Sequence, residues 1–70
     1  MPEDYRGFAK VVRIKLFAKR KTVVWGAEQL DVSRQYLHAI FNGKERRLDL
    51  LQKLDNILEE VEDTAFYLAA

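Results

Sequence analysis

The residues of this chain best suited to chemistry are hydrogen-bonding side chains rather than catalytic ones. Ser33 is followed at once by Arg34, Gln35 and Tyr36, and then by His38. An arginine can donate two parallel hydrogen bonds to guanine O6 and N7, and a glutamine can pair at two points with adenine N6 and N7. Arg34 and Gln35 are therefore expected to contact base edges if their backbone enters a DNA groove. Tyr36 and His38 are expected in the same role, through a thymine methyl, a phosphate or a polar groove contact. A second set lies just beyond, in Asn42, Lys44, Arg46 and Arg47. Such side chains hold phosphate oxygens, which position a protein on DNA without reading its sequence. Ser33 joins them, because the free N–H groups of a helix N-terminus can meet an anion.

Other chemistries lack their parts. His38 is the one histidine and there is no cysteine. No metal site and no Cys/His nucleophile pair is expected. There is no glycine-rich phosphate loop and no HExxH run. Glu59 and Glu60 are adjacent carboxylates, read as solvated charge on a helix surface. The chain is expected not to be an enzyme and to need no cofactor. Its 70 residues suffice for one domain with a thin core, which leaves little room for a deep catalytic cavity. The lack of cysteine fits a reducing, cytoplasmic setting. The first residues lack the apolar run of a signal peptide, and no stretch approaches the roughly 20 apolar residues of a membrane span. No membrane partner is expected.

The formal charge is +1, but its distribution is uneven. Residues 1–47 hold 11 Lys/Arg against 5 Asp/Glu, and residues 48–70 hold 1 against 6. The first part is thus about +6 and the second about −5. Either these are two solvated faces, or the basic part meets phosphates while the acidic end turns away from them or toward a basic partner.

The elements that must carry these side chains follow from apolar spacing. Over residues 4–19, Tyr5, Phe8, Ala9, Val12 and Leu16 fall on one helical stripe, while Ile14 and Phe17 lie off it. Thr22 can cap a helix over about 23–30, with Ala27 and Leu30 facing inward. Asp31 and Val32 make a turn, and Ser33 caps a third helix whose buried side is Leu37 and Ile40. Asn42-Gly43 ends it, since glycine takes the left-handed stop conformation at no steric cost. A last helix over about 48–61 carries Leu51, Leu54, Leu58 and Val61, and Leu50 and Ile57 widen its stripe. The apolar end, 64–70, either extends that helix or forms a fifth. The expected fold is all-α, one compact domain of four or five helices, with a helix-turn-helix at about 22–43.

The segment from Ala27 through Leu30, Val32-Ser33 and Leu37 to Ile40-Phe41-Asn42-Gly43-Lys44 resembles the Cro/C1-type helix-turn-helix family of phage and bacterial repressors. The resemblance covers roughly Thr22 to Lys44, and the flanking helices agree in type and order. It departs at Val23, where the family commonly has a phosphate-binding glutamine, and at Gly26, where a large aliphatic residue is usual. Asp31 replaces a turn glycine, and Phe41 stands where a polar residue is common. The resemblance implies a lambda-repressor-like domain that binds double-stranded operator DNA and regulates transcription without doing chemistry. It also implies a phage or prophage origin and the cytoplasm of a bacterial host.

Two further partners are expected from the apolar residues. Val23, Trp25 and Phe41 either repack the core or form a surface for a repressor protein, which would make the chain an antirepressor. On the core reading, Trp25 fills the space left by Gly26 and is at least half buried, while Val23 and Phe41 are more exposed. The last helix, with its apolar end, could also support a homodimer.

Overall fold

The computed structural model describes residues 2–61, with side chains from Tyr5 onward. These residues form four helices and no strand: α1 (Pro2–Ala18), α2 (Val23–Leu30), α3 (Arg34–Asn42) and α4 (Leu48–Glu60). The expected elements are all present, displaced by a residue or two at their ends. The apolar end 64–70, expected either to extend the last helix or to form a fifth, lies outside the described residues.

Each helix boundary has a local cause. Thr22 Oγ1 accepts the Trp25 N–H at 3.1 Å, and Ser33 Oγ accepts the Tyr36 N–H at 3.0 Å. Both oxygens satisfy an N–H that has no partner inside its own helix. Three helices stop at a left-handed residue, but only one of the three is glycine: Arg20 (φ 60°), Asp31 (φ 57°) and Gly43 (φ 83°). Behind each of them a backbone N–H reaches back to a carbonyl five residues earlier. Lys21 N–H meets Leu16 at 3.0 Å, Val32 meets Ala27 at 3.0 Å and Lys44 meets Ala39 at 2.9 Å. These bonds occupy carbonyls that the ended helix leaves free.

The core is one cluster: Tyr5, Ala9, Val12, Leu16, Ala27, Leu30, Leu37, Ile40, Leu51, Leu54 and Leu58. It contains no buried charged side chain. Each fully buried leucine removes enough apolar surface from water to contribute about 1.5–3 kcal/mol. The four helices can converge because α2 offers no side chain at Gly26. A Cβ built there would stand 3.2 Å from Leu37, 3.6 Å from Leu16 and 3.7 Å from Leu54. The space beside Gly26 is therefore taken by leucines from the other three helices. Trp25 is not needed to fill it, contrary to the expectation from sequence.

Helices α1 and α4 run in the same direction. The Tyr5 hydroxyl lies beside the start of α4, where it accepts the Arg47 N–H at 3.1 Å. Further along, Lys15 donates to Asp55 at 2.9 Å and to Glu59 at 2.7 Å. At the far end, Lys19 donates to the Val61 carbonyl at 2.8 Å. The two carboxylates hold the Lys15 ammonium above its ordinary pKa, chiefly through these hydrogen bonds. Much of the acidic charge of α4 is thus spent on α1 rather than presented to another molecule.

Candidate nucleic-acid interface

Helix α3 turns its two apolar anchors, Leu37 and Ile40, completely into the core. A helix advances about 100° per residue, so the opposite side belongs to Gln35, His38 and Asn42, with Arg34 at its edge. All four are exposed. No acidic residue occurs from Ser33 to Lys44. The outward surface of α3 is thus polar and free of negative charge. Ser33 is exposed at its start, and its hydroxyl hydrogen stays available while the oxygen serves as the cap.

Tyr36 sits differently. It is partly buried, packs against the core and accepts a hydrogen bond from Arg47 Nη1 at 3.0 Å. It belongs to the join between α3 and α4 more than to the outward row. Two further N–H donors of Arg47 are also occupied. Nε meets Asp49 Oδ1 at 3.1 Å and Nη2 meets Asp49 Oδ2 at 3.0 Å. This two-point grip holds the Asp49 carboxyl below its ordinary pKa, and it raises that of the guanidinium further, with help from Tyr36. An arginine held this way meets a phosphate only with the N–H groups its partners leave.

The other loop cations are freer. Lys44 is exposed and makes no hydrogen bond to another described side chain. Arg46 is exposed too, and its guanidinium carbon lies 5.3 Å from the centre of the Tyr5 ring. Stacking on that ring orients the group while leaving its edge in water. The sequence thus identified a set of cations that the fold divides: Lys44 and Arg46 face solvent, and Arg47 is a structural clasp.

One feature of the site was not read from the sequence, and a second was read only in part. Tyr5 was assigned only to the apolar stripe, yet its hydroxyl lies 3.0 Å from the Ile40 carbonyl and 2.8 Å from that of Glu45. It ties the N-terminal part of α1 to the last turn of α3 and to the loop behind it. Nothing in apolar spacing distinguishes such a tyrosine from a phenylalanine. The second feature is apolar. Val23, Trp25 and Phe41 all pack against the core at intermediate exposure. Trp25 meets the expectation, with Lys21 Nζ 5.3 Å from its ring centre. Val23 and Phe41 are held by the core more than expected. The large apolar residues left open are instead Val11, Ile14, Phe17, Val24 and Leu48. Ile14 and Phe17 could be picked out as lying off the buried stripe; Val11 could not.

No helix among the described residues is long and apolar enough to cross a membrane. No protein-family model, curated protein or solved structure matches this chain.

Proposed function

We propose that the chain is a sequence-specific DNA-binding regulator that lays α3 in the major groove. The observation that carries this reading is the outward row of α3. Gln35, His38 and Asn42, with Arg34 beside them, stand opposite two fully buried anchors on a nine-residue helix without an acidic group. A helix of this kind offers donors and acceptors at groove-reading spacing, on a backbone fixed by the core. Exposed Lys44 and Arg46 at its far end, and the capped N-terminus at Ser33, supply phosphate contacts at both ends of the row. The resemblance to Cro/C1-type repressors supports the same reading, including a cytoplasmic role in regulating transcription with no chemical step.

The test is selection from a random duplex library, followed by affinity measurement over a series of salt concentrations. A recovered consensus site, bound with a steep salt dependence, supports the reading. Failure to enrich any sequence, with equal affinity for all duplexes, excludes sequence-specific recognition. Loss of all DNA binding at low salt excludes the interface altogether.

A further inference from the structure

Arg6 is far in sequence from the loop cations, yet the fold sets it beside them. The hydroxyl of its neighbour Tyr5 lies 3.0 Å from the Ile40 carbonyl and 2.8 Å from that of Glu45, which holds this end of α1 against the last turn of α3. Arg6 follows Tyr5 about 100° round the helix, and it is exposed. A Cβ added at Gly43 would stand 3.9 Å from Arg6 Nε. The guanidinium therefore lies beside the left-handed residue at which α3 stops. Arg46 reaches the same corner from the loop, 5.3 Å from the centre of the Tyr5 ring. Asn42 and Lys44, both exposed, flank Gly43 in the chain.

The cation is not needed to end α3, because the nearby carbonyls already have donors. That of Ile40 accepts the Gly43 N–H at 3.2 Å in addition to lying beside the Tyr5 hydroxyl. That of Ala39 accepts the Lys44 and Glu45 N–H groups at 2.9 and 3.1 Å. Among the described residues the ion pairs belong to Lys15 and Arg47, and none to Arg6. Glu45 is the one carboxylate between positions 43 and 47. It stands against three cations, Arg6, Lys44 and Arg46, so the corner stays positive.

We propose that Arg6 is a further phosphate-binding residue of the α3 interface, which extends that interface onto α1. This rests on the DNA-binding reading given above. A helix whose outward row lies in a groove has its end against the backbone that borders the groove, and Arg6 stands at that end. Its planar guanidinium can donate two parallel N–H bonds to phosphate oxygens. Gly43 places no side chain between the guanidinium and the end of the row. The contact orients α3 in the groove and selects no base.

The test titrates the full chain and its variants on one selected duplex and one unrelated duplex over a series of salt concentrations. Arg6→Ala should flatten the slope of log affinity against log salt by about 0.9 on both duplexes. Preference between the two should not change. Arg6→Lys keeps the charge and should restore the slope. Arg13→Ala removes the same charge from the same flank of α1, about 10 Å further along at 1.5 Å per residue. The Arg13 guanidinium lies 5.8 Å from the centre of the Phe17 ring, directed away from Gly43, and its loss should leave the slope at the wild-type value. Equal changes for Arg6 and Arg13 would mean a diffuse field and overturn the contact. An unchanged slope for Arg6→Ala, in a wild-type chain that binds DNA, overturns it while leaving the reading of α3 intact. Arg6 then serves only its own fold, paired with Glu3 or Asp4 before it or placed at the end of α3, and a lower melting temperature of Arg6→Ala would mark that role. A wild-type chain that binds no duplex at low salt removes the DNA reading and this contact together.

Discussion

Arg47 Nη1 lies 3.0 Å from the phenol oxygen of Tyr36, and the same guanidinium grips both carboxylate oxygens of Asp49. Two residues that each could have touched DNA are thereby joined to one another, across the break between α3 and α4. The clasp fixes the far end of the reading helix relative to the start of α4, where Arg47 occupies the cap position without a side-chain cap bond.

The clasp gives a pH dependence. Arg47 depresses the folded-state pKa of Asp49. Such a group contributes stability that is fully present above its unfolded pKa, near the ordinary carboxylate value, and is lost as pH falls through the depressed folded value. The melting temperature of the wild-type chain should therefore fall more steeply with acid, below about pH 4, than that of Asp49→Asn. Thermal melts over that range check this. Coincident curves would show that the ion pair contributes nothing in solution.

The division of the loop cations predicts unequal salt effects. Lys44→Ala should flatten the slope of log affinity against log salt by about 0.9, the counterion release of one phosphate contact. Arg47→Ala should change it by less, because most of that guanidinium is already occupied. Titrations of both variants on one duplex measure the difference. A larger change for Arg47 than for Lys44 would mean that the clasp opens on DNA.

Arg34→Ala and Gln35→Ala should each reduce discrimination between cognate and altered sites by about 1–3 kcal/mol. Both residues are exposed, so the melting temperature should hardly move. Footprinting on a selected site and on single-base variants of it provides the comparison. Retained preference in both variants would falsify α3 as the reading helix.

Gly26→Val places branched carbon atoms where even a Cβ would approach Leu37 to 3.2 Å. Leu37, Leu16 and Leu54 are fully buried, so none can swing into solvent to make room. Overpacking of this sort costs about 1–3 kcal/mol, a large part of what so small a domain can hold. Urea unfolding should show a lower midpoint at similar slope. A midpoint equal to wild type would show that α2 and α3 pack less closely than described.

Tyr5→Phe keeps the ring in the core and removes only the hydroxyl. That group serves the Ile40 and Glu45 carbonyls and accepts the Arg47 N–H. Leaving such partly buried backbone groups unpaired costs about 1–3 kcal/mol. Amide exchange should quicken most at Arg47 and in the last turn of α3, with α2 little changed. Uniform quickening over the whole chain would mean that Tyr5 acts through the core alone and is no local tie.

The helices and their stops were legible because they depend on near neighbours. Apolar residues at steps of three and four, Thr22 and Ser33 before them, and Gly43 after them act within a turn or two of backbone. The candidate reading row was legible in part for the same reason: once Leu37 and Ile40 face inward, helical geometry alone sends Gln35 and His38 outward, but Asn42, expected at a phosphate, joins that row, and Tyr36, expected at a base, turns toward Arg47. What the sequence could not decide was which of two equal claims a side chain answers. Arg47 had the composition of a phosphate contact; Asp49 was a local partner two residues on, yet Tyr36 on α3 is brought to the same guanidinium only by the fold. Val23, Trp25 and Phe41 had the composition of an exposed patch, yet they rest on a core assembled from all four helices. Val11, Ile14 and Phe17 had the composition of a core and remain in water, because α2, α3 and α4 all pack on the other side of α1. Burial and side-chain pairing depend on distant segments arriving at one place, and only the tertiary structure brings them there.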